Sequence, residues 1–83
     1  MDHELLLARS ITQAQHMVRA LGGCGIRAAL MRAPMGLTDR GCAYAVQIPD
    51  TDLTAALTAL HRESLDPVQI FLTQRGTFRE VRP

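Results

Sequence analysis

The sequence predicts a single α+β domain whose strands and helices follow the order β-α-β-β-α-β, and three observations predict it. Runs with strand-like alternation of apolar side chains recur over residues 26–32, 42–48 and 68–72. Two segments, residues 11–21 and 53–64, instead repeat apolar side chains at helical spacing. Glycine and proline punctuate the joins at Gly22-Gly23, Pro49, Pro67 and Gly76.

The elements follow in order. Residues 4–9 (ELLLAR) form an apolar run too short for a helix and suited to a central strand. Ser10 stands in N-cap position with Gln13 three residues on, in capping-box register. Ile11, Ala14, Val18 and Leu21 recur at helical spacing, with Met17 beside them, along a first helix that Gly22-Gly23 stops. In the second strand Ile26, Ala28 and Leu30 oppose Arg27, Ala29 and Met31; in the third, Cys42, Tyr44, Val46 and Ile48 alternate with Ala43, Ala45 and Gln47. Asp50 or Thr51 caps a second helix with Leu53, Ala56, Leu57, Leu60 and Ser64 inward, and Leu65-Asp66-Pro67 ends it. Val68, Ile70 and Leu72 open a fourth strand. Two βαβ units about a central hairpin make a ferredoxin-like sandwich, with two helices on one face of a four-stranded antiparallel sheet. Residues 1–83 read as one domain, with a core over 4–73 and with 74–83 as a tail or short fifth strand.

Composition narrows the function. The chain is 47% hydrophobic and 20% charged with net charge +1, an ordinary globular balance that offers no broad attraction to nucleic acid or membrane. Aromatic content of 4% without Trp leaves little to stack bases on. Arg75, Arg79 and Arg82 make the C-terminus locally basic, read as a solvated tail, with an anionic partner as the alternative. Met-Asp-His-Glu is unlike a secretory leader and no apolar run approaches bilayer length, so a cytoplasmic location with two reduced thiols is expected.

Residues 33–42 form the longest segment without periodicity and end on Cys42. Right-handed crossovers bring this loop to the sheet end where Ser10 opens the first helix. Alternation puts Cys42 on the helix-covered face, looking toward that helix N-terminus, which favours a thiolate; Arg9 and Arg40 are nearby cations, and His61 and Arg62 come within reach. A buried cysteine packed as a small hydrophobe is the competing reading. Cys24, in the turn at the opposite sheet end, lies too far for a disulfide and fills a helix-ending turn.

Other constellations lead nowhere. His3, His16 and His61 lack zinc-site spacing, no phosphate loop exists, and Asp50 and Asp52 start a helix rather than forming an acid/base pair. No metal or cofactor is implied. Opposite the helix-covered set, Ala29, Met31, Ala43, Ala45 and Phe71, with Leu6 and Ala8, make a flat apolar face open to water, suited to a homodimer or to packing against another protein.

Ser10 and Ala14, Gly25-Ile26, Pro34, Leu37, Thr38, Cys42 and Ala45-Val46 carry a resemblance over about residues 4–73. By these the chain resembles the selenium/sulfur (Se/S) carrier protein-like family, a small domain of unknown function. Arg32 and Ala33 stand where that family has Pro-x, Met35 replaces an Arg, and Ala43 replaces a Gly. Arg32 or Arg40 would have to supply the missing cation. The resemblance implies that Cys42 carries sulfur or selenium as a persulfide or perselenide, supported by Ser10, Arg9, Arg40, Pro34 and Thr38. It implies a donor such as a cysteine desulfurase and an acceptor enzyme, and a carrier rather than a turnover enzyme. The alternative is a ferredoxin-like dimeric adaptor with an inert cysteine, which would tolerate Cys42→Ser.

Overall fold

A computed structural model of the chain describes residues 2–38 and 41–81. The elements run β1 (His3–Ala8), α1 (Ile11–Gly23), β2 (Ala29–Arg32), β3 (Tyr44–Pro49), a 3-10 turn (Asp50–Asp52), α2 (Leu53–Arg62), β4 (Gln69–Gln74) and β5 (Thr77–Val81). The fold is α+β: two helices and one antiparallel sheet in the order β2-β3-β1-β4-β5. The sheet has five strands where four were expected. Residues 77–81, within the segment read above as a tail or a short fifth strand, take the strand option and pair as β5 along the free edge of β4. Arg75 and Gly76 at its turn both have positive φ, 51° and 79°, the pattern of a type I′ hairpin.

β1 is central and buried on both sides, which explains its unbroken apolar run. Leu6 and Ala8 join Val46, Ile48 and Ile70 beneath the helices, against Ala14, Met17 and Leu21 of α1 and Ala56, Ala59 and Leu60 of α2. Leu5 and Leu7 point the other way and cluster with Ala45, Phe71 and Cys42. Leu6 and Ala8 therefore belong to the helix face, not to the open face assigned above. In a run where every residue is apolar, alternation has no phase to read.

The open face is also not bare. Leu7 and Ala45 are fully buried, and Ala33, Leu37, Val68 and Met31 pack around them. Ala33 and Leu37 of the β2–β3 connection pack over this end of the sheet and close a second, smaller core. Ala29, exposed, and Phe78, 42% exposed, lie farther along the same face.

Helix ends largely follow their signals. Ser10 Oγ accepts from the Gln13 N–H at 3.1 Å, and the Gln13 side chain returns to the Arg9 N–H rather than to that of Ser10 itself. Gln13 Nε2 also donates to the Asp66 carbonyl at 3.3 Å, tying α1 to the connection after α2. At α2 neither Asp50 nor Thr51 is the cap. The 3-10 turn intervenes, and Asp52 takes the N-cap position without a side-chain hydrogen bond. Ser64 lies beyond the helix, exposed, at φ 56°.

Candidate functional site

Cys42 sits just before β3, where the ladder has not begun. Pairing starts at Arg32 with Tyr44, flanked by an Ala33 N–H to Ala43 carbonyl bond of 2.9 Å. Gly41, at φ 74°, turns the chain immediately ahead of the cysteine. Residues 41–43 are thus outside the regular strand, and alternation does not govern where Cys42 points.

The thiol faces away from the helices. It is 9% exposed and packs in the cluster of Leu5, Leu7, Ala45 and Phe71. The expected placement toward the N-terminus of α1 is therefore corrected: the sheet lies between the thiol's cluster and the helix layer. His61, expected within reach, is on the helix side and bonds Asp66 through Nδ1 at 3.1 Å. Ala43, expected in the apolar face, is exposed outside the cluster.

The supporting residues disperse. Ser10 is occupied as the α1 cap. Arg9 is exposed, with its main-chain N–H given to Gln13. The Pro34 carbonyl accepts from the Leu37 N–H at 3.1 Å, shaping the loop beside the thiol. Arg32 stacks over the Tyr44 ring, 5.7 Å from its centroid, on the helix-side row of the sheet, so it is not beside Cys42. Arg40 lies outside the described residues.

Thr38 reaches across the open face. Its hydroxyl donates to Gln69 Oε1, and Gln69 Nε2 donates to Glu80 Oε2 at 3.3 Å. Gln69 stands opposite Leu7 in the sheet, and Glu80 opposite Phe71. The polar chain thus runs along the margin of the thiol's apolar cluster. Gln69 and Glu80 gave no signal in the sequence, because their meeting depends on β5 pairing and on the loop folding back.

This is the geometry of a sheltered thiol with apolar walls and a tethered loop. The chain matches the family described as "Putative Se/S carrier protein-like" over residues 4–72. It belongs to that family. No curated protein and no solved structure matches the chain. In this Se/S carrier-like chain the matched span includes Cys24, Cys42 and Gln69 and stops before β5. Neither cysteine is in a disulfide; Cys24 is exposed and Cys42 buried. Among the described residues no three His, Cys, Asp or Glu side chains gather as a metal site would require, and no helix is long and apolar enough to cross a membrane.

Another residue missed above is Glu4. It is 3% exposed on the helix side of β1, and its Oε2 has no hydrogen-bond partner. Burial raises its carboxyl above the usual range, Asp50 adds to the rise, and Arg79 opposes it.

Proposed function

We propose that the protein is a sulfur or selenium carrier whose carrier thiol is Cys42. Family membership over residues 4–72 is the observation that carries this reading. The step is a sulfane transfer. The Cys42 thiolate attacks the terminal sulfur of a donor persulfide, the S–S bond to the donor breaks, and the donor leaves as its own thiolate. Cys42 becomes a persulfide, no net oxidation occurs, and a second thiolate, on an acceptor enzyme, takes the sulfur by the same exchange. The walls of Leu5, Leu7, Ala45 and Phe71 suit a polarisable terminal sulfur and keep bulk water from it.

Around this chemistry the reading places a ferredoxin-like core of β1 to β4, folded as one domain with β5 added at its edge. Two unpaired thiols fit a reducing, cytoplasmic setting. The part of the open face left exposed, with Phe78 and Ala29, fits a homodimer. The donor has the chemistry of a cysteine desulfurase persulfide.

A second reading, a dimeric adaptor with an inert cysteine, draws on the 9% exposure of Cys42. One experiment separates the two. The native protein is incubated with a desulfurase and cysteine, and its intact mass is read before and after reduction. A reducible gain of one sulfur atom, located at Cys42 and abolished in Cys42→Ser, is the expected result. Sulfur found at Cys24 alone, or none while Cys42 labels only after denaturation, sinks the carrier reading and leaves the adaptor.

A further inference from the structure

The geometry points to Gln69 as the positioning residue that controls exposure of the Cys42 thiol, by tethering the cysteine loop to a strand outside the family-matched span. Its importance for transfer rests on the carrier reading; its effect on the thiol does not.

The tether has three members and a defined polarity. Glu80, when ionised, only accepts, so it fixes the Gln69 amide with Nε2 toward β5 and Oε1 toward the loop. That Oε1 receives the Thr38 hydroxyl. Next to Thr38, Leu37 packs against the cluster that holds Cys42, as does Ala33 at the other end of the loop's descent. Val68, which precedes Gln69, gives its N–H to the Leu7 carbonyl at 2.8 Å and packs on the same cluster. Residues 33–38 of the loop are therefore held over the sheet by apolar contact from Leu37 and Ala33 and by the Thr38–Gln69 hydrogen bond.

The link spans a long stretch of chain. Thr38 and Gln69 are 31 residues apart, and Gln69 and Glu80 are 11 apart across the β4–β5 hairpin. The matched residues end at 72, whereas Glu80 lies in β5. β5 thus contributes the terminal acceptor of a chain that bears on the thiol, a role beyond extending the sheet. Loss of the link frees Leu37 to leave the cluster and uncovers Cys42, whereas Cys24, exposed at the end of α1, is untouched.

The test is the alkylation rate of Cys42 by iodoacetamide at neutral pH, read by peptide mass spectrometry, with Cys24 as the internal reference. Gln69→Leu keeps the bulk and removes both hydrogen bonds. Its expected effect is an acceleration at Cys42 of about fivefold, the ratio given by one lost hydrogen bond of ordinary net worth, with Cys24 unchanged. Thr38→Val should reproduce the acceleration and Thr38→Ser should restore the native rate, which a general loss of stability would not do. The accelerated rate should also be independent of low urea, as local opening requires. Native Cys42 rates in both Gln69→Leu and Thr38→Val overturn the proposal, as does a rate that rises steeply with urea. If Gln69→Leu does not fold, the Thr38 pair decides alone. Sulfur loading is then measured on the same proteins. Acceleration of alkylation without loading in any of them would uphold the tether and reject the carrier reading.

Discussion

Glu4 illustrates how one side chain sets a pH dependence. It faces the helix side between Ile48 and Leu72 in the sheet, with Arg79 one strand farther along the same row. Burial is the larger reason its carboxyl holds a proton above the ordinary glutamate value of about 4.3. Because the folded chain binds that proton more tightly than the unfolded one, the associated stability is full below the ordinary value. It is lost as pH rises through the raised one. Glu4→Leu removes the unpartnered oxygen, whose burial costs about 1–3 kcal/mol. The variant should melt above the native protein at pH 7 by about 4–8 °C or more, and the gap should shrink toward pH 4. A gap that is the same at both values would place the cause in packing and not in the charge. At Cys42, too, the neighbours of the thiol, not its place in a motif, determine what it meets.

At the scale of elements, the ends and turns are local and the pairings are not. The Ser10 cap, the end of α1 after Gly23 and the turn at Gly76 all follow from residues within a few positions of each other. Arg75 sits in the left-handed region, which a type I′ turn favours for Asn or Gly and a long side chain resists. Arg75→Asn should therefore stabilise the β4–β5 hairpin, raising the urea midpoint by the equivalent of about 0.5–1 kcal/mol. An unchanged or lower midpoint would show that the turn is not limiting. The helical spacing of Ala14, Met17 and Leu21 was legible in the sequence, as was the inward stripe of α2, since period and burial agree there. The start of α2 was not legible, because Asp50, Thr51 and Asp52 are all acceptable caps and the choice fell to the 3-10 turn. β5 was visible only as a tail or a strand; its five residues are too few to specify pairing without β4 beside them.

Over the whole molecule, β1 divides two apolar clusters, a large one under the helices and a smaller one under the cysteine loop. If the smaller cluster is a true core, Leu7→Ala should cost about 2–5 kcal/mol, comparable to Leu6→Ala. A surface leucine would cost no more than about 0.5 kcal/mol. Equilibrium urea unfolding of the two variants decides between these, and a cost at Leu7 in the surface range would mean that the loop does not cover the sheet. The same division explains the candidate site. The loop's position at the Ser10 end of the sheet followed from right-handed crossovers, so the sequence led to the correct end but the wrong side. Composition, helical period and turn residues were enough to determine an α+β chain, its order of elements and β1 as its buried centre, because each is encoded by residues close in the chain. Only the tertiary structure decided which side of β1 each leucine takes, that β5 joins the sheet, and that Cys42 turns away from the helices. Those outcomes depend on contacts between residues tens of positions apart, and at Cys42 on a backbone that leaves the strand geometry on which alternation rests.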